Sequence, residues 1–473
     1  MASGFHLSTA PRPFDRADVR RARSLSLEPP LVWLWPASLV LAQLTLARNP
    51  GFDLTVAVVA CHAIQLYLIA FAGFRRPSRG QLLVLLIILL QVLIVGAGSA
   101  DPDQFARSLA HLLNLALMLL ICANLKVRDW RSVRRSIAVF CVGGMVVSGL
   151  VAVQFVAFNL YDDLSYARLL GPFSPTRAPG LAEVYVPRGE PLLRRPNGPF
   201  SEPSIAGWFL IFTAAVALSS RSVHPRLAAA TALASGLGAL LTLSLTGILG
   251  MGALMLAWLL MAPGERRFKM VVVGILGASA LAACFSAIGP ALLERAGELD
   301  RPGTSIHGRF VAPLEAIARS LGEAPLGAPI GQLAPAVVGS DLAAWFGGLD
   351  ASMDNMLFTI VLHFGLLGVV MNLAYLLGML RLLVLRRHVV GLLMLAVLIM
   401  LATTGAGWAH QSVLMIGYAI LVGRYLLARE RKARPRTEDR PAPTPPPRPA
   451  RPPAETPAAA PPRVAWRRPG APP

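Results

Sequence analysis

The sequence predicts an all-α protein, a polytopic transmembrane helical bundle of about twelve spans with two long non-cytoplasmic loops. Three observations carry this. Hydrophobic residues make up 55% of the 473-residue chain and charged residues only 15%, whereas soluble domains carry about a quarter charged residues. The apolar residues are blocked into runs of about 17 to 22, the length that crosses a hydrocarbon core. Arg-rich connections recur at alternate positions between those runs, as expected where cytoplasmic loops hold the positive charge.

Residues 1–30 form an Arg-rich head (Arg12, Arg16, Arg20, Arg21, Arg23), expected on the cytoplasmic side and without a cleavable signal peptide. A membrane domain is expected over 31–428. Its spans are 31–47, 54–74, 81–98, 106–125, 136–158, 204–220, 227–243, 247–262, 270–290, 353–380, 389–404 and 411–428. The stretch 227–262 is too long for one crossing and just long enough for two short ones joined by a tight turn. The connections beginning at Arg75, Lys126, Arg221, Glu265, Arg381 and Arg429 are Arg-rich and define the cytoplasmic face, which they share with both termini. Two connections on the other face are long, 159–203 and 291–352, and loops of that length are usually functional or disordered. Within the second, 309–321 alternates at helical spacing and predicts a short helix. Residues 429–473 are rich in Pro, Ala and Arg and predict a disordered cytoplasmic tail.

The net charge of +19 does not indicate a nucleic-acid binder, because the charges sit in short loops and the tail rather than along one soluble face. The four cysteines, Cys61, Cys122, Cys141 and Cys284, lie inside apolar runs without metal or redox spacing and read as packing residues. No metal site and no cofactor is expected. The spans are nearly free of charge at their centres and show no internal repeat, which disfavours a transporter.

The candidate chemistry lies in the long loops. Arg194-Arg195-Pro-Asn197-Gly198-Pro-Phe200-Ser-Glu202-Pro203 joins paired guanidinium groups to a turn dipeptide, then to a Pro suited to a first helical turn. Glu202 reads either as a helix cap or as a functional carboxylate. His307 and Arg309 open the second stretch, which continues through Gly327 to Gly331. Asp354-Asn355 precedes the span containing Gly365 and Gly368, and Asp354 also reads as a helix cap. His363, inside that span, reads as a packed polar residue, and His410 as a loop imidazole. Arg forks match phosphate oxygens in pairs, so loops rich in Arg suit an anionic ligand such as a diphosphate.

Together these stretches resemble the bacterial O-antigen ligase and polymerase superfamily, which includes exopolysaccharide polymerases. The pattern is Arg195, Gly198, Phe200, Glu202 and Pro203 at the start of a span. Two short spans follow, joined by Ser244-Leu-Thr246-Gly247, then a long loop with Arg309 and Gly327–Gly331, then Asp354-Asn355 with Gly365 and Gly368. The chain departs from the family where Leu245 and Thr246 follow Ser244 in place of an Arg. It departs again at Asp354, where the ligase branch carries a His, and this favours the polymerase branch.

The resemblance implies a donor glycan linked to undecaprenyl diphosphate, used at the outer face of the inner membrane without metal or nucleotide sugar. It places Arg195 and Arg309, with Arg194 as substitute, against the departing diphosphate. Glu202 or Asp354 would take the attacking hydroxyl's proton, and Asn355, His307 and His410 would help bind substrate. Membrane lipid, a chain-length regulator and other polysaccharide assembly proteins are the implied partners. A ligase that transfers finished glycan to lipid A-core or another acceptor is the nearest alternative, and a flippase of lipid-linked glycan is the alternative from another class.

Overall fold

The computed structural model describes residues 30–48, 53–71, 73–126, 130–161, 193–261, 305–332, 355–403 and 409–433, with scattered positions between 270 and 290. The expected span at 270–290 therefore lies largely outside the described residues, as do most of both long loops and the tail. One compact unit covers Met1–Leu427; of the second, Ala428–Pro473, only the last turns of a helix are described.

A π-helical turn, Pro30–Leu34, leads into α1 (Trp35–Val40). β1 (Thr45–Arg48) and β2 (Asp53–Thr55) form an antiparallel hairpin. Then come α2 (Val56–Phe71), β3 (Gly73–Phe74), α3 (Arg79–Gly96), α4 (Pro102–Asn124), β4 (Leu125–Lys126) and α5 (Trp130–Leu160), with β3 and β4 paired. After the first long connection lie α6 (Pro203–Ser219), α7 (Pro225–Leu241) and α8 (Leu245–Met261). α9 (Ser305–Glu323) falls in the second. α10 (Met356–Leu380) runs into a π-helical turn, Arg381–Leu385, and is followed by α11 (Val390–Thr403) and α12 (His410–Ala433). Five of the described helices are long and apolar enough to cross a membrane.

Local chemistry explains the helix starts. Ser78 and Gln81 form a reciprocal capping box on α3. Asp101 Oδ1 accepts from Gln104 N at 2.9 Å and caps α4. Pro102, Pro203 and Pro225 occupy first helical positions, where a missing N–H has no consequence. The split in 227–262 is as expected, with α7 and α8 joined by a turn at Thr242–Ser244.

α6 is the centre of the bundle. Every residue in it except Ile205 is buried, and it packs against α5, α7, α8 and α11. Small residues permit the close approach, as is usual where lipid supplies no hydrophobic contrast. A Cβ on Gly144 of α5 would overlap Thr213, and one on Gly207 would lie 3.0 Å from Gly247 Cα of α8.

The connections at Arg75, Lys126, Arg221 and Arg381 gather at one end, called proximal here; the one at Glu265 lies outside the described residues. Arg75 N donates to Asn124 O. Arg424 of α12 donates to Cys122 O and Leu125 O, the Trp130 and Tyr425 rings are 5.7 Å apart, and His224 meets Arg134 O. Ser219 at the end of α6 bonds Val389 O beside the Arg386–Arg387 turn. The opposite, distal end holds the starts of α4 and α6.

Two expected spans differ. The first, 31–47, stops being helical at Val40 and turns into the β1–β2 hairpin. Thr45 near its end pairs with Thr55 of the following segment as strands, and the interruption frees Gln43 for a contact described below. The second, 353–380, is not one rod. Gly365 has φ 52° and ψ −132°, and Asn372 Nδ2 donates to Leu357 O at 2.7 Å. Residues that far apart in one straight helix would be separated by about 22 Å, so 356–364 doubles back against 366–380.

Glycines permit this reversal. A Cβ on Gly368 would collide with Ile360 O, and one on Gly365 with Pro325 O. Gly365→Ala should therefore lower the thermal stability of the purified protein by about 2–4 kcal/mol equivalent. Gly149→Ala, where a Cβ meets nothing within 4 Å, should be neutral or slightly stabilising. Thermal unfolding in detergent checks both; equal melting temperatures for Gly365→Ala and wild type would overturn the reversal.

Candidate functional site

The Arg194–Glu202 strap lies at the distal ends of α5 and α6 and is held mainly through side-chain amides. Asn159 receives Arg194 N at Oδ1 (2.6 Å) and donates through Nδ2 to Arg194 O (3.0 Å). Gln154, fully buried in α5, accepts from Asn197 N (3.1 Å) and Gly198 N (2.6 Å), and donates to Gly198 O. Asn197 Nδ2 donates to Phe200 O. Gln43, in the turn after α1, accepts from Ser201 N at 2.5 Å. Gly198 sits at φ 59° with a would-be Cβ 3.1 Å from Val151, so the Asn197-Gly198 turn forms as the sequence predicts. Phe200 is buried and tilts against Phe209 at 4.9 Å, which anchors the strap to α6.

The strap carries Arg194 and Arg195 from the end of α5 and Glu202 to the position before α6. Arg194 and Arg195 are both half-buried. Glu202 occupies the position before α6, yet its carboxylate makes no backbone cap; Ser204 Oγ donates to Glu202 Oε2 at 2.9 Å instead. Close by, Gly207 abuts the Ser244–Gly247 turn, where Ser244 Cβ lies 3.6 Å from a would-be Gly207 Cβ. α6 and α8 therefore point their N-termini toward the same end, offset by about half a turn. Each helix start carries roughly half a positive charge in unsatisfied N–H groups. Two such starts at the end that carries the Arg194–Arg195 strap make a setting that favours an anion.

The second assembly is the α10 reversal. Leu366 N donates to Pro325 O (3.0 Å), and Ala328 N to Leu362 O (2.9 Å). Gly327, at φ 95°, lies against the His363 carbonyl. Gln91 of α3 donates to Phe364 O (2.8 Å) and Leu326 O (2.7 Å). Gln332 reaches Ser99 Oγ (2.7 Å) and Asp101 O (2.9 Å) in the α3–α4 turn. Gly327–Gly331 and Gly365–Gly368, far apart in sequence, are thus one packed unit. α11 packs against both α6 and α10.

The remaining candidates distribute unevenly. Arg309 and His307 lie on α9, whose existence the helical spacing predicted, but their side chains are outside the described residues. Asp354 is also outside them. Asn355 is buried and caps α10, its Oδ1 accepting from Leu357 N (3.1 Å) and Phe358 N (3.4 Å). His363 is buried, with Nδ1 3.3 Å from Ala328 O, and packs as expected. His410 opens α12 and groups with His62 and His111, ring centroids 5.1 and 5.3 Å away. Sequence reasoning missed Gln43, Gln91, Gln154 and Asn159. A signal existed for Gln91 and Gln154, since an amide inside an apolar run needs an internal partner.

Gln154→Ala would leave the Asn197 and Gly198 N–H groups without their acceptor, at about 1–3 kcal/mol each. It should loosen the strap more than the bundle. A membrane-impermeant maleimide should label Ser201→Cys several-fold faster in the Gln154→Ala background, with the melting temperature little changed. An unaltered labelling rate would show that Gln154 does not hold the strap.

Among known proteins, the family described as WcaD colanic acid polymerase matches residues 30–425. No curated protein and no solved structure matches the chain. The matched range takes in every described helix from the π-helical turn at Pro30 through most of α12, including both distal assemblies. The chain belongs to the WcaD colanic acid polymerase family, integral membrane glycosyltransferases that polymerise lipid-linked repeat units in exopolysaccharide synthesis.

Proposed function

We propose that polymerisation takes place at the distal end, on repeat units linked to undecaprenyl diphosphate, with the distal end facing the outer side of the inner membrane. In this reading a sugar hydroxyl of one lipid-linked unit attacks the anomeric carbon of the glycan on another. The bond to the lipid diphosphate breaks, the diphosphate leaves with the bonding electrons, and the hydroxyl proton passes to a carboxylate. The observation that carries it is the amide-pinned strap, whose backbone runs from Arg194, tied to Asn159 at the end of α5, to Glu202 directly before α6, at the end toward which the N-termini of α6 and α8 both point.

Negative charge builds on the leaving diphosphate in the transition state. Arg195 and Arg309, with Arg194 as substitute, stabilise it there, where fixed cations need no reorganisation. Glu202 or Asp354 takes the proton. Asn355, His307 and His410 serve the sugar side. This reading needs no metal, because guanidinium groups and helix starts supply the charge. The Arg-rich proximal end faces the cytoplasm with both termini, in a frame of about twelve spans over 31–428 flanked by the 1–30 head and the 429–473 tail. A chain-length regulator and other assembly proteins meet the protein at the membrane.

Arg195→Ala and Arg309→Ala should each cut polymer synthesis by about 10²-fold, with Glu202→Gln and Asp354→Asn separating the two candidate bases. The measurement is the length distribution of the surface or secreted polysaccharide in a deletion strain complemented with each variant. Loss of long chains, with single repeat units accumulating on the carrier, is expected. Wild-type polymer from both Arg variants would overturn the catalytic assignment. Full-length glycan stranded on its carrier would indicate a ligase instead.

A further inference from the structure

Three histidines from three helices meet toward the distal end. His410, the first residue of α12, holds its ring 5.1 Å from that of His62 in α2 and 5.3 Å from that of His111 in α4, edge to face with each. The charges that act on His410 are those of His111 and His62. On these helices the nearest other titratable residues are Cys61 and Tyr67 of α2, Asp103 and Arg107 of α4, and Tyr418 of α12. Arg107 is exposed and stands one turn distal to His111 on the same face of α4. Residues 31–47 and 403–409 contain no titratable side chain.

The three helices are held unequally. α12 is fixed from behind, where Trp35 Nε1 of α1 donates to Leu414 O at 3.1 Å and Ser136 of α5 bonds the Tyr418 hydroxyl. α2 is an outlying helix, with Leu66, Ile69 and Phe71 exposed. Below the histidines, Gln65 Nε2 and Cys61 Sγ both donate to Asn114 Oδ1 of α4, the former at 2.7 Å. The first turn of α2 reaches the turn after α1, where Val56 N donates to Leu44 O (2.9 Å) and Ala57 N to Ala42 O (3.0 Å). Between Ala42 and Leu44 lies Gln43, whose side chain takes Ser201 N of the strap. α2 is thus hydrogen-bonded to both chain neighbours of a residue that holds the strap.

We propose that the three imidazoles form an acid-sensitive latch on the strap. Neutral rings close α2 against α4 and α12 through their edge contacts. Protonation of two of them sets like charges close together inside a membrane bundle, where they repel strongly. Arg107 adds to the repulsion, and Asp103, more than two turns from His111, relieves little of it. α2 is the helix free to yield. Its first turn then draws on 42–44, and Gln43 releases Ser201. Imidazole is the side chain that changes charge in mild acid, so the strap is held at neutral pH and freed as the pH falls. The consequence for polymerisation rests on the reading of the strap given above; the motion of the strap does not.

The test uses the full-length protein in nanodiscs, carrying Cys284→Ala and a nitroxide on Ser201→Cys, with the buried Cys61, Cys122 and Cys141 left in place. Electron paramagnetic resonance should show the mobile fraction of the label rising several-fold, and reversibly, between about pH 7.5 and about pH 4.5. His62→Gln takes the charge off α2 at an exposed position and should abolish the rise. His111→Gln should reduce it. Gln43→Ala should leave the label mobile at both pH values. Unchanged melting temperatures at neutral pH show that the variants fold.

A label equally immobile at both pH values, a rise that survives His62→Gln, or a strap that still tightens at neutral pH in Gln43→Ala would each overturn the latch. Polymer synthesis in proteoliposomes at the same two pH values separates the latch from the chemistry. The rate of the wild type relative to His62→Gln should fall several-fold in acid. A strap that loosens in acid while that ratio stays constant would support the latch and sink the role of the strap in polymerisation.

Discussion

Inside an apolar bundle every backbone N–H and C=O that leaves a helix must find a partner within the protein. The distal end is built around that constraint. There the chain leaves helical geometry in the turn after α1, along the strap before α6, and at the reversal of α10. In each place side-chain amides complete the hydrogen bonding. Gln154 and Asn159 hold the strap from α5, Gln43 holds it from the turn after α1, and Gln91 covers the carbonyls of the α10 reversal. Asn355 does the same for N–H groups at the start of the re-entrant piece. These amides make irregular backbone tolerable where regular helix would leave no room for a site.

The helices beneath supply rigidity. α6 is buried on every side, and its neighbours approach through Gly144, Gly207, Gly238 and Gly250. Small residues at such contacts shorten the distance between helix axes and fix rotation about them. For that reason the start of α6 and the Ser244–Gly247 turn hold a constant offset, and the strap's Arg pair is presented against a rigid base. Polymerising charged, lipid-borne units calls for this kind of placement, because guanidinium groups that must reorganise lose most of their effect on a leaving diphosphate.

The two distal assemblies have different characters. The strap is short, polar and pinned by few contacts. The α10 reversal is a packed unit of glycines against carbonyls, where Gly327 and Gly365 occupy left-handed backbone. α11 joins them by touching both α6 and α10. A displacement of α10 would therefore be felt at α6 through side-chain packing.

Composition and run length alone determined a helical membrane protein, because nothing else hides so many apolar residues in blocks of that size. Charge alternation alone grouped the connections at Arg75, Lys126, Arg221 and Arg381, which the structure gathers at the proximal end. The order Arg195, Gly198, Phe200, Glu202, Pro203 marked the strap, and helical spacing in 309–321 marked α9, since both signals are local. The tertiary structure alone decided that 353–380 doubles back and that the first span breaks at Val40. A run of apolar residues reads the same whether it crosses once or reverses; the difference lies in Gly365 meeting Pro325 and in Asn372 reaching Leu357, contacts between residues remote in sequence. The same holds for Gln154. As a lone amide in an apolar run it announces only that it needs a partner, and which partner depends on the path of a loop that returns more than forty residues later.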